Sequence, residues 1–166
     1  MSRNRNFNSA GVILTVALIA CIADQWSKQL VITRLCNGDK LLHFCRHPEL
    51  IPGLVNIWGT QNHHGAFGLF GSNGPLLLVL AVAVLVVFWF AFRDHAANSR
   101  LVSVAFGMIV GGAIGNMIDR VHFGYVVDFI NFYGIWPNIF NIGDSCITVG
   151  VALLLISSFV SPRRHA

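Results

Sequence analysis

Residues 107–148 read GMIVGGAIGNMIDRVHFGYVVDFINFYGIWPNIFNIGDSCIT. An apolar helical run ends in Asn116, Asp119 and Arg120. Asp128 follows on a short hydrophobic segment, and Asn141 and Asp144 open a second apolar run. Of the 7 acidic residues in the chain, Asp119, Asp128 and Asp144 therefore sit where apolar segments meet water. Unpaired carboxylates are costly there, which makes them candidate functional groups. Two of them held close could share one proton.

Working outward, residues 75–92, 101–118 and 145–160 carry no charge, and a fourth apolar run, 7–23, precedes Asp24. The chain is 55% hydrophobic and 11% charged, whereas a soluble domain carries about a quarter charged residues. A bilayer span needs about 20 mostly apolar residues. The expected architecture is an all-α integral membrane protein with four transmembrane helices and a small extracytoplasmic β-containing region. Residues 1–166 form one membrane-embedded domain, with spans at about 7–26, 75–92, 101–118 and 139–160 and outer loops at about 28–74 and 119–138. Arg3 and Arg5, Arg93 and Arg100, and Arg163 and Arg164 then share one face. The positive-inside rule makes that face cytoplasmic, with both termini on it. Lys28, Arg34, Lys40, Arg46 and Arg120 fall outside this bias. The net charge of +4 is read as this topology signal. No basic stripe interleaved with aromatics suggests nucleic acid as a partner.

The N-terminus also resembles a secretory signal, and Leu18-Ile19-Ala20-Cys21 has the look of a lipobox. An uncleaved first span is preferred, because the later spans already give a membrane address. Asp24 and Lys28 lie four apart on one helix face and can pair; a simple interfacial ion pair is the plain reading of that spacing. In the long outer excursion, residues 50–58 suggest a short strand or two, broken by Pro52-Gly53. His43, Cys45 and His47 alternate there, but their spacing matches no standard zinc pattern, and ordinary loop histidines are preferred. Of the 4 cysteines, Cys21 and Cys146 lie in or beside spans, while Cys36 and Cys45 could pair in an oxidising compartment.

Gly107, Gly111 and Gly115 recur at four-residue steps, a spacing that lets another helix approach closely. Extending the steps gives two stripes: Gly112, Asn116 and Arg120, and beside it Gly111, Gly115 and Asp119. The helix begins as a packing surface and ends as a polar cluster. Arg120 offers a planar fork of donors suited to a substrate carbonyl or phosphate head group. After the turn at Gly134 and Pro137, Asn138 is placed to cap the last helix. Asn141, Asp144 and Thr148 share one face of that helix. The turn allows Asp128 and Asp144 to meet near the membrane surface without requiring it.

Two carboxylates held close cannot both ionise cheaply, so one keeps a proton. Such a pair suits amide hydrolysis, the ionised partner activating water and the protonated partner donating to the carbonyl oxygen. That chemistry needs no metal and no cofactor. Ser145 and Cys146 adjoin Asp144, but no histidine is arranged beside them as a base.

Gly111-Gly112-Ala113-Ile114-Gly115-Asn116-Met117-Ile118-Asp119-Arg120, Val127-Asp128-Phe129 and Phe140-Asn141-Ile142-Gly143-Asp144 together resemble bacterial lipoprotein signal peptidase, also called signal peptidase II. Asp24-Gln25-Trp26-Ser27-Lys28 and the Asn62 segment resemble its earlier motifs in the same order. The resemblance implies a multi-pass aspartyl endopeptidase of the bacterial plasma (inner) membrane, with its active site near the outer leaflet. Its implied substrates are diacylglyceryl-modified prolipoproteins, cut just before the lipidated cysteine. It implies catalytic roles for Asp128 and Asp144, substrate contacts for Asn62, Asn116, Arg120 and Asn141, and architectural support from Asp24, Lys28 and Asp119. Membrane lipids are the implied surroundings. Two positions depart from the family pattern: His64 stands where it usually has glycine, and Gly143 where it usually has alanine.

A proton-coupled carrier is the main rival, with Asp119, Asp128 and Asp144 as relay groups. It expects polar residues deep in several spans, whereas here they gather near one interface. A scaffold assembled through the glycine face is the other. It expects function to survive Asp128→Asn and Asp144→Asn.

Overall fold

A computed structural model describes residues 8–43, 45–63 and 99–160, together with helical positions Val79, Val82, Ala83, Val86, Val87, Trp89 and Phe90. The expected span at 75–92 and His64 fall largely outside the described residues. Helix α1 is Ser9–Leu30, continued by wider π-type turns over Val31–Leu35. Helix α2 is Arg100–Phe123 and α3 is Ile142–Val160. Among the described residues these three are long and apolar enough to cross a membrane. Strands β1 (Glu49–Ile51), β2 (Val55–Asn62) and β3 (Val126–Phe132) form an antiparallel sheet in the order β1-β2-β3.

Local chemistry sets the helix ends. Asn8 caps α1, its Oδ1 accepting from the Gly11 N–H at 2.9 Å. Ser99 caps α2, its Oγ accepting from the Val102 N–H at 3.4 Å. Gly124, at φ 81°, stops α2 in the left-handed conformation that glycine adopts freely. Helix α2 therefore runs five residues beyond the expected boundary at 118 and carries Asp119 and Arg120 on its last turns.

Helix α2 is the central one. In its most apolar window 61% of residues are buried, against 17% for each of the other two helices. Its two glycine stripes face different partners. On one, an added Cβ at Gly107 would lie 2.7 Å from Val16 Cβ, one at Gly111 would strike the Ala17 carbonyl, and one at Gly115 the Asp24 carboxylate, all on α1. On the other, a Cβ at Gly112 would strike the Gly143 carbonyl at the start of α3. In turn, a Cβ at Gly143 would lie 2.9 Å from the Gly112 carbonyl, so the absent methyl lets α2 and α3 close together. Gly112→Ala should cost about 1–3 kcal/mol through overpacking against backbone that cannot yield. Thermal unfolding in detergent measures this, and a wild-type melting curve would contradict the packing argument.

The sheet packs on the end of α1 through Val31, Ile32, Cys36, Leu42, Tyr125, Val127 and Phe129. Strand alternation sends Val127 and Phe129 into this core and Asp128 to the opposite face. The short strand or two expected in the 50–58 region are found as β1 and β2. The third, β3, lies in what the sequence presents only as a short hydrophobic segment. Cys36 and Cys45 are joined in a disulfide that rests on Gly59 of β2. The left-handed Gly134 turns the chain back beside β3. There the Phe140 carbonyl accepts from the Phe129 and Ile130 N–H groups at 3.0 and 2.7 Å. This return delivers Asn141 to the side of Asp128.

Candidate active site

Asp128 and Asp144 line one cavity of about 920 Å³, together with Thr60, Asn62, Asn116 and Arg120. Its far wall is apolar, built from residues including Phe132, Ile135, Trp136, Ile139 and Phe140. The register that pairs Thr60 with Asp128 places Asn62 within reach, and its Nδ2 donates to Asp128 Oδ2 at 2.8 Å.

Asn141 joins the two carboxylates. Its side-chain Nδ2 donates to Asp128 Oδ1 at 2.6 Å, and its backbone N–H donates to Asp144 Oδ2 at 3.3 Å. Its Oδ1 accepts from the Asp144 N–H at 2.8 Å. The reciprocal pattern is a capping box, the N-cap side chain binding the N3 amide while the N3 side chain binds the N-cap amide. Helix α3 thus begins at Asn141 rather than at the expected Asn138. The cap that ends the helix also fixes Asp144. Asn141 is fully buried and faces the carboxylates, while Asn62, Asn116 and Arg120 face the cavity.

Behind this pair lies a buried ion cluster. Lys28 Nζ is 2.7 Å from Asp24 Oδ2 and 2.9 Å from Asp119 Oδ2, and it donates to Asn116 Oδ1 at 2.9 Å. Asn116 in turn donates through Nδ2 to Asp144 Oδ1 at 2.8 Å. Asp24 Oδ1 accepts from the Gly143 N–H at 2.7 Å, and Asp119 Oδ2 from the Val127 N–H at 3.0 Å. The expected Asp24–Lys28 contact is therefore no surface pair. Asp24 and Asp119, both held by Lys28, bind the backbone adjoining Asp144 and Asp128 respectively. Gln25, given no role from the sequence, donates through Nε2 to Asp119 Oδ1 at 2.8 Å and to the Gly115 carbonyl at 3.0 Å. Its position beside Asp24 was the available signal, but spacing alone does not show which way an amide turns.

Burial first, and then the nearby charge of Asp144, push the Asp128 carboxyl up to about 7, against the lowering effects of Asn62, Asn141 and Lys28. The outer histidines are engaged elsewhere. His47 lies against Trp58, His63 against Tyr125, and Cys45 is consumed by the disulfide.

Long apolar helices carrying a small sheet, with two carboxylates on one cavity, define the architecture of a membrane protein with an acidic pocket. The signal peptidase (SPase) II family model matches residues 16–160, and the chain belongs to that family. It is 34% identical over 154 residues to the lipoprotein signal peptidase of Symbiobacterium thermophilum, covering 91% of this chain and 96% of the relative. It is 37% identical to that of Fusobacterium nucleatum, covering 92% and 89%. A bacterial membrane enzyme solved by the in meso method at 1.9 Å superposes with a TM-score of 0.76 at 30% identity, covering 92% of this chain and 95% of that one.

Proposed function

We propose that the chain is an aspartyl endopeptidase that removes signal peptides from diacylglyceryl-modified prolipoproteins, cutting just before the lipidated cysteine. The observation that carries this reading is that Asp128 and Asp144 open onto one cavity while Asn141 holds both. One carboxylate takes a proton from water, whose oxygen attacks the scissile carbonyl. The other donates its proton to the carbonyl oxygen, and a second transfer to the nitrogen releases the amine. Asn62, Asn116 and Arg120, on the cavity wall, are placed to bind the peptide. Asn141 acts from behind by aligning the pair. Asp24, Lys28 and Asp119 hold the backbone on either side. The apolar wall suits the acyl chains of a substrate that remains in the bilayer. The arginine distribution supports a plasma-membrane protein with cytoplasmic termini and the site near the outer leaflet.

The test incubates purified protein in detergent with a diacylated precursor and with the same precursor lacking lipid, and follows product mass. Cleavage before the lipidated cysteine, confined to the lipidated form, is expected. On its alkaline side kcat/KM should fall as pH rises through about 7, where Asp128 loses the proton the pair needs. Equal cleavage of both precursors would remove the lipid from the reading, and full activity in both single Asp→Asn variants would remove the aspartates.

A further inference from the structure

We infer that Thr148 is a further substrate-binding residue: its hydroxyl donates to the backbone carbonyl of the third residue before the lipidated cysteine. The inference rests on the peptidase reading above and deepens it by placing the signal-peptide side of the substrate. It comes from asking which cavity hydroxyls have no partner within the protein.

Thr148 stands on α3 one turn past Asp144, on the same helix face, and both line the cavity. A hydroxyl within a helix commonly turns back onto a carbonyl of the preceding turn. Ser145 does so, its Oγ donating to the Asn141 carbonyl at 2.9 Å. Ser103 on α2 donates to the Ser99 carbonyl at 3.0 Å, and Thr33 to the Gln29 carbonyl at 2.8 Å. Thr148 does not: among the described residues its hydroxyl has no hydrogen-bond partner. It is exposed, and its neighbours on this wall, Ile147 and Val149, carry no polar side-chain atom. Inside a spanning helix water is scarce, so an unpartnered hydroxyl is costly there. A ligand that brings an acceptor removes that cost.

Chain direction sets which part of the substrate Thr148 meets. In the orientation proposed above, α3 runs from the outer face inward. A signal peptide runs the other way, from the cytoplasm outward to the cleaved bond. The residues before that bond therefore pass along α3 beyond Asp144, antiparallel to it. Thr148 lies about 6 Å further along the helix axis, at about 1.5 Å per residue. An extended peptide covers that distance in about two residues, at about 3.3 Å each. The attacked carbonyl belongs to the last residue before the cysteine, and counting back two more reaches the third. An extended chain leaves its carbonyl there open to a donor, which a threonine hydroxyl supplies. Because the contact is to backbone, it fixes the register of the peptide without selecting a side chain.

The test uses purified protein in detergent with two diacylated precursors. One is all-amide. In the other the amide bond after the third residue before the cysteine is replaced by an ester, whose carbonyl is the poorer acceptor. Thr148→Val keeps the branched shape and removes the hydroxyl. On the all-amide precursor it should lower kcat/KM about 3- to 10-fold, the loss of one neutral hydrogen bond, mainly through KM. Its melting curve should match wild type, and Thr148→Ser should recover most of the loss. Wild type should cut the ester precursor less well than the amide, and in Thr148→Val this ester penalty should shrink by the factor already lost. Thr60→Val, which removes the cavity hydroxyl paired across the strands with Asp128, should keep the full penalty. A Thr148→Val enzyme as active as wild type, or one with an undiminished ester penalty, overturns the inference and leaves the peptidase reading standing. Failure of wild type to cut even the all-amide precursor would instead overturn that reading, and this inference with it.

Discussion

Asp128→Asn should lower cleavage of the diacylated precursor by about 100- to 10,000-fold, the usual contribution of a positioned acid or base. The same change should leave the protein more stable at neutral and alkaline pH. The folded Asp128 value of about 7 lies above its ordinary 3.8. Between these values the folded state holds more proton than the unfolded one, so stability falls as pH rises through that window. Above it the full penalty applies, on the order of 4 kcal/mol for this buried group. Asparagine carries no such penalty, and its Oδ1 can still accept from Asn141. Thermal unfolding in detergent should therefore show the variant gaining over wild type above pH 7, with the gain vanishing below about pH 4. A variant that is inactive and destabilised at every pH would mean that Asp128 is structural.

Lys28→Met should have the largest effect on the fold. The ammonium is 3% exposed and faces Asp24 and Asp119, which are 0% and 1% exposed. Removing it strands two buried carboxylates, and breaking a buried ion pair from one side costs about 3–5 kcal/mol. The loss spreads, because Asp24 holds the Gly143 N–H, Asp119 the Val127 N–H, and Asn116 loses the donor that sets its amide. Neutralising one orphan in Lys28→Met/Asp119→Asn should recover part of the stability, read as a positive coupling in a double-mutant cycle. A Lys28→Met protein that melts like wild type would show that these carboxylates are satisfied without it.

Much of the molecule is legible along the chain because the bilayer imposes a one-dimensional rule. Charge-free runs of about 20 residues have few alternatives to spanning helices. The four-residue steps of Gly107, Gly111 and Gly115, and the neighbouring Gly112, mark surfaces that let another element approach closely, and they meet α1 and the start of α3. The same periodicity shows that Asn116, Asp119 and Arg120 end those stripes. Strand β3 is harder to read, because a short apolar segment holding one aspartate has no clear period. The start of α3 is ambiguous for a related reason: Asn138 and Asn141 are equally good caps by residue type, and only the pairing of Phe140 with Ile130 selects the second.

The residue order by itself determined the three long apolar helices among the described residues, the helix faces that touch and the acidic groups available for chemistry, since each follows from local spacing and the cost of charge in lipid. Tertiary structure alone decided that Asp128 and Asp144 share a cavity, that Asn141 links them, that Lys28 is buried between Asp24 and Asp119, and that Cys36 is bonded to Cys45. Those relations depend on how a strand, a turn and three helices are placed in space. Hydrogen-bond direction and burial are set by such placement, and no local pattern of residues encodes them.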